Sequence, residues 1–322
     1  MSTHQFQFIS SVDGTGPLYG DATFESAGGK RPVIAVMQGF SGDRSPVKPD
    51  VERLAAKGLF AVSVDARGRG LSAGRRDCGA VEIADIVDGL HHAITLFPQY
   101  ADETNLNVVG YSGGGANALS LVTKFPDLFR VAVSYFGISD YALWYEFGGR
   151  PDCDEIMRAD LEGTPAERPR EYEARSSLRA ARNALCTEVH LYWDEEETGC
   201  PPMLNTRFKA ACDALGYRNC FVHESRKTDP VRWHHGYTTN WPELIEAEKE
   251  FVPRILSGAV PEPRLPKKGR LAVPGFVITR HFQLWVGNGK HGVADVEYDV
   301  SGAKPAVKVI SYTPGQRVRI VT

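Results

Sequence analysis

The first two thirds of the chain alternate short apolar runs with stretches of helical period. Residues 32–37 form a continuous apolar run and residues 59–64 read as the next strand, both as expected for strands buried on two faces. Ahead of them, residues 5–9 and 21–26 read as a strand pair, with Ala27-Gly28-Gly29-Lys30 turning into the next strand. Asp50 is placed to cap a short helix that stops at Lys57-Gly58. Val81, Ile83, Ile86, Val87, Leu90, Ile94 and Phe97 recur at helical spacing until Pro98 ends the run. A strand at 106–109, a helix reaching Phe125-Pro126 and a strand at 131–136 follow. Strands alternating with helices predict an α/β chain with a mostly parallel central sheet and helices on both faces.

The rhythm stops at about 138–185. Tyr141, Trp144, Tyr145 and Phe147 open this stretch, and a charged segment of helical character covers 166–184. It reads as a helical, aromatic insertion arching over the C-terminal edge of the sheet, where ligands bind in such folds. Strand 187–193, helix 204–215, strand 219–224 and helix 242–252 resume the pattern. Past Ser257-Gly258 the prolines 261, 263 and 266 with Lys267-Lys268 read as a linker. Strand-like runs at 276–278, 282–286, 293–298, 307–312 and 318–321 then predict a small β appendage. The expected division is a catalytic domain over 1–258 and a β-rich appendage over 259–322.

Composition narrows the class. With 322 residues, 42% hydrophobic and 24% charged, the chain matches a globular protein with one large domain and a small extension. A net charge of −3 argues against nucleic acid, whose phosphates demand a basic field. No apolar run approaches the length of a membrane span, and no leader is visible before Ser11. The expectation is therefore a cytoplasmic protein without membrane attachment, a mature secreted form being the alternative. Homo-oligomerisation is compatible with this composition. Cysteines 78, 153, 186, 200, 212 and 220 contain no C-x-x-C pair. They read as reduced thiols, a Cys186–Cys200 or Cys212–Cys220 link being the alternative.

Chemistry is concentrated at Gly110-Tyr111-Ser112-Gly113-Gly114, directly after an apolar run and before an Ala-rich helical stretch. A serine so flanked can sit on a turn tight enough to project its hydroxyl at a helix N-terminus. The pattern is weak alone, and its strand-turn-helix context raises its value. A serine hydroxyl needs a base, and the base needs an orienting acid. The acid is sought in Asp194-Glu195-Glu196-Glu197: Glu197 has the reach, and Asp194, at the strand end, is the alternative. In Trp233-His234-His235-Gly236, His235 is preferred as base because the following glycine gives its ring room, with His234 as the alternative. His91-His92 lie inside an amphipathic helix and read as structural. The oxyanion of a tetrahedral intermediate would be held by the N–H groups of Gly113 and Phe40, the latter in Gln38-Gly39-Phe40-Ser41-Gly42. Asp65 and Arg67, in the Gly-rich block after the second buried strand, read as loop supports. No zinc-type or phosphate-loop spacing occurs, so neither metal nor cofactor is expected.

Together these segments resemble the α/β-hydrolase fold, and within it the catalytic domain of the prolyl oligopeptidase family and its esterase relatives, over about residues 30–256. The resemblance rests on Gln38-Gly39-Phe40, the 65–72 block, the 110–114 turn, Tyr172-Glu173-Ala174-Arg175-Ser176-Ser177, the acid loop closing on Cys200-Pro201, and His235-Gly236-Tyr237. In that family the acid lies three residues before a Val-Pro pair. Cys200-Pro201 takes that place here and implies Glu197 as the acid, with Ser112 as nucleophile and His235 as base. Relatives that cleave oligopeptides carry a large N-terminal propeller, and only about 30 residues precede the core here. The resemblance thus implies a cofactor-free serine carboxylesterase acting on a small or polymeric ester, with Trp144, Tyr145, Phe147 and Trp193 as an aromatic wall for substrate. A small peptidase or amidase with the same machinery is the alternative. A non-catalytic binding protein on the same fold is the reading from another class.

Overall fold

The computed structural model describes residues 1–234, 242–287 and 291–322, with the backbone alone for Pro242 and Glu243. β1 (Ser2–Phe8) and β2 (Leu18–Phe24) form the expected pair, which is antiparallel. β3 (Arg31–Met37), helix α1 (Lys48–Ala56), β4 (Phe60–Val64), α2 (Glu82–Leu96), β5 (Ala101–Tyr111), α3 (Gly113–Lys124) and β6 (Val131–Tyr135) then alternate. Three short helices, α4 (Tyr141–Phe147), α5 (Pro151–Asp160) and α6 (Pro169–Glu173), make up the insertion. β7 (Glu188–Asp194), α7 (Met203–Ala214), β8 (Cys220–Ser225) and α8 (Pro242–Leu256) complete the main body.

The central sheet runs β1-β2-β4-β3-β5-β6-β7-β8. From β4 to β8 every pairing is parallel, and β2 joins antiparallel. Burial on both faces explains the uninterrupted apolar runs. Val33, Ala35 and Met37 of β3 join one core with α2 and α3, while Ile34 and Val36 join the other with α1 and α8. Among the described residues no helix is long and apolar enough to cross a membrane.

Strand order positions the site. From β3 the chain steps outward to β4, then returns to lay β5 on the other flank of β3. The loops leaving β3 and β5 therefore diverge from adjacent strand ends, which is where α/β sheets open a crevice.

Three expectations are corrected. Asp50 does not cap α1: the helix begins at Lys48, and Asp50 lies buried in its first turn, paired with Arg53. Arg53 in turn binds Glu248 of α8 at 2.7 Å, so the charge serves helix-to-helix packing. The segment 166–184 is not one helix. Past α6 the Ser176 hydroxyl donates to Asp140 at 2.7 Å and the Leu178 N–H to the Ser139 carbonyl, and these contacts draw the chain away until a 3-10 turn over Ala181–Cys186. The third is an additional strand, β9 (Lys268–Pro274), between the expected linker and the first expected strand of the appendage, its polar start masking it.

β9 pairs with β12 (Val293–Asp299), which also pairs with β13 (Ala306–Tyr312). β10 (Phe276–Ile278), β11 (Gln283–Val286) and β14 (Val318–Val321) form a second three-stranded sheet. Leu271, Val273, Val277, Phe282, Leu284 and Val296 give these sheets an apolar core of their own. The appendage is fastened to the main body by buried polar groups. Lys124, at the end of α3, donates to the carbonyls of Ala174 and Pro274. Fully buried Asn183 donates to the carbonyls of Thr123 at 2.7 Å and Ala272 at 2.6 Å, and accepts from the Ala272 N–H at 3.0 Å.

Asn183→Ala leaves one buried donor and two buried carbonyls without their partner. It should destabilise the protein by about 2–4 kcal/mol, read as a lowered urea midpoint. A change below about 0.5 kcal/mol, the range of ordinary surface substitutions, would show that this junction does not hold the appendage.

Candidate active site

β5 ends at Tyr111, and the chain turns into α3 through Ser112 at φ 55° and ψ −117°. A non-glycine residue there is held against its backbone preference, so its surroundings must fix it. They do so by contact. A Cβ on Gly110 would lie 2.1 Å from the Gly114 carbonyl oxygen, and one on Gly114 would lie 2.2 Å from that of Met37. A Cβ on Gly113 would lie 2.4 Å from the Phe40 nitrogen. The serine N–H is bound to the Tyr135 carbonyl at 2.9 Å, and its carbonyl accepts from Ala116 in the first turn of α3. Gly113 and Gly114 are thus required because the end of β3 and the loop after it pass directly against the turn, and Gly110 because the turn folds back on itself. This brings the backbone nitrogens of Phe40 and Gly113, the two expected donors, onto one small region beside Ser112.

The loop that carries Phe40 is braced from below. The Arg44 N–H donates to Asp65 at 2.8 Å, its guanidinium pairs with Asp65, and a second bond joins it to Asp21 at 2.7 Å. Asp65 also accepts the Leu71 N–H at 3.2 Å. Arg67 binds Asp85 at 2.6 Å and Asp13 at 2.8 Å. Asp65 and Arg67 therefore hold loops together, as the sequence predicts. Arg44 was not anticipated, since nothing in its local pattern marks it out.

On the opposite side lies the acid loop. Glu197 is 6% exposed, and its Oε1 accepts the N–H groups of Gly199 at 2.6 Å and Cys200 at 3.2 Å. The Cys200 Sγ lies 3.5 Å from the Ser112 Oγ, so one residue touches both the serine and the acid candidate. Burial pushes the Cys200 thiol up to about 12, which keeps it neutral beside the serine. All six cysteines are free thiols.

Asp194 has a different occupation. It accepts from Ser225 Oγ at 2.7 Å, Arg232 Nε at 2.8 Å and the Glu196 N–H at 2.9 Å. Burial works to raise its pKa, but these bonds, Arg232 foremost, outweigh it and hold the carboxyl at about 2. The residue ties the acid loop to the segment approaching the expected base. The same segment is fixed by the Trp233 N–H, which donates to Ser225 at 2.7 Å, and by the Trp233 ring against Tyr192. His235 lies outside the described residues. His234 is exposed and lines a polar cleft of about 450 Å³ with Arg150, Glu196, Glu197, Thr198 and Arg232.

The four aromatic residues expected as a wall separate into three groups. Trp193 is buried in the same core as Phe208 and donates to Glu224 at 3.1 Å. Strand alternation explains this, since its neighbour Tyr192 takes the other face. Trp144 is buried, donates to the Gly199 carbonyl at 2.7 Å and packs edge-on against Phe40 at 5.3 Å. It links the acid loop to the Phe40 loop. Tyr145 is half-buried and Phe147 is exposed. Among the described residues no cluster of three or more His, Cys, Asp or Glu side chains is placed to hold a metal ion.

The fold and the serine turn define an α/β-hydrolase. The prolyl oligopeptidase family profile matches residues 47–215, just over half of the chain. The chain belongs to the prolyl oligopeptidase family of serine hydrolases. Among solved structures, it is similar to an acylaminoacyl peptidase complexed with Z-Gly-Gly-Phe-chloromethyl ketone (24% identity, TM-score 0.65), covering 82% of this chain and 42% of that one. It is also similar to the Pyrococcus horikoshii acylaminoacyl peptidase (23%, 0.61), covering 73% and 38% of the two chains. A Mycobacterium tuberculosis puromycin-hydrolyzing peptidase is a third (20%, 0.65), covering 80% and 39%. These likenesses concern the fold, and this chain spans less than half the length of each. No curated protein matches it.

Asp194→Ala should release the acid loop from the 225–234 segment and speed amide hydrogen exchange at Glu196 and Trp233 by at least about tenfold. Glu197→Gln keeps an acceptor for the Gly199 and Cys200 N–H groups and should leave those rates near wild type. Equal rates in the two variants would refute the division of roles between the two carboxylates.

Proposed function

We propose that the chain is a serine peptidase or amidase that cleaves small acylated amino acids or aminoacyl amides through an acyl-enzyme. The observation that carries this reading is the strained Ser112 turn packed against the Phe40 amide. The carboxylesterase expectation yields to its peptidase alternative, which agrees better with the family and with neighbours described as acylaminoacyl and puromycin-hydrolyzing peptidases.

In this mechanism the Ser112 Oγ attacks the substrate carbonyl carbon while His235 takes the hydroxyl proton. The carbonyl π pair moves to oxygen, and the N–H groups of Phe40 and Gly113 hold the resulting anion. Collapse of the intermediate breaks the C–N bond as His235 returns the proton to the leaving amine. Water then repeats the sequence on the acyl-enzyme, releasing the acid and restoring Ser112. Glu197 orients the imidazole and stabilises its charged form. Tyr145 and Phe147 offer apolar surface to the substrate beside the polar cleft. Cys200 stays a neutral thiol and does not compete as nucleophile.

Ser112→Ala should abolish labelling by a fluorophosphonate and lower turnover of an N-acetyl-amino acid p-nitroanilide by at least about 10⁴-fold. The matched p-nitrophenyl ester separates the two hydrolase readings. Turnover of both substrates is the result expected of a peptidase, whereas cleavage of the ester alone would return the assignment to an esterase. A wild-type protein that neither labels nor turns over either substrate would leave only the binding-protein reading.

A further inference from the structure

The block after β4 contains a second arginine, held more loosely than the first. Arg67 is hydrogen-bonded by Asp85 and Asp13, whereas Arg69, two residues on and only 7% exposed, has a looser ion pair without a hydrogen bond. Its Nε and Nη2 meet no hydrogen-bond acceptor among the described residues. The Glu82 carboxylate lies 3.7 Å from Nη2, and its Oε2 has no donor, while its Oε1 accepts the Gly79 N–H at 2.9 Å. Burial pushes the Glu82 carboxyl up to about 7 despite Arg69, so near neutral pH it is an incomplete counter-ion. A guanidinium kept from water with so few partners costs stability, and its placement calls for another explanation.

That explanation lies in what it covers. The Arg69 guanidinium sits over the Phe40 ring, 5.7 Å from its centroid. Trp144 meets the same ring edge-on at 5.3 Å and Tyr141 packs at 6.1 Å. Cation–π attraction strengthens where water is excluded, as it is here. The Phe40 side chain is therefore gripped by a cation and two aromatic rings, while its backbone nitrogen presses on Gly113. We infer that Arg69 is a positioning residue that fixes Phe40 through its ring, so that the Phe40 N–H stays aimed at the oxyanion formed above Ser112, with the buried positive charge favouring that anion. The inference rests on the hydrolase mechanism proposed above. Arg69 itself touches no reacting atom in it.

The test is the double variant Arg69→Met/Glu82→Gln, which removes both charges and leaves neither alone in the core. With active sites counted by fluorophosphonate titration, kcat should fall about tenfold while KM stays within twofold. An aryl trifluoromethyl ketone, which forms an oxyanion on the serine, should bind about tenfold more weakly. Arg69→Lys keeps a cation and should recover part of the loss. Independently of turnover, amide exchange at residues 39–41 should quicken in the double variant. Unchanged exchange there, or a lowered melting temperature with wild-type kcat per titrated site, would overturn the positioning role. Failure of the wild-type protein to label with fluorophosphonate would instead strike the hydrolase assignment, and the exchange measurement would still decide the fate of Arg69.

Discussion

The contact between the loop after β3 and the turn after β5 is the constraint from which the rest of the site follows. The two backbones approach so closely that no side chain fits at positions 113 or 114, and the fold of the turn itself closes position 110. That closeness arises from the sheet order, which places β5 directly beside β3 and sends the intervening chain away to β4. It holds Ser112 in a conformation that a free chain would avoid, and it brings two amide nitrogens together with no side chain between them.

Around this point the molecule spends charge on rigidity. Arg44 and Asp65 brace the Phe40 loop, Arg67 ties the neighbouring block to Asp85 and Asp13, and Arg232 fastens the acid loop through Asp194. Trp144 joins the two sides, one edge on Phe40 and its N–H on Gly199. Such bracing suits a site whose donors must be in place before charge develops, because reorganising them during the reaction would raise the barrier.

Much of this was legible in the chain because it follows from local rules. Two-sided burial makes β3 and β4 nearly continuous apolar runs, and the serine turn announces itself through glycines that sterics demand. What was hidden depends on distant partners. Asp50 looks like a cap until Arg53, which also holds Glu248, claims it. The two leading carboxylates cannot be told apart locally, since Asp194 is defined by Ser225 and Arg232 and Glu197 by the N–H groups of Gly199 and Cys200. Trp193 reads as an accessible aromatic residue because alternation at a strand end does not say which face is core. Nothing local marks Arg69, and only the packed structure shows its guanidinium over the Phe40 ring.

The most direct test is a crystal structure of the protein after reaction with a fluorophosphonate. The account predicts a covalent bond from phosphorus to Ser112 Oγ, with the phosphoryl oxygen about 2.7–3.1 Å from the nitrogens of both Phe40 and Gly113 and a His235 ring nitrogen within hydrogen-bond reach of the serine oxygen. Phosphorus on another residue, or a phosphoryl oxygen turned away from those two amides, would contradict it.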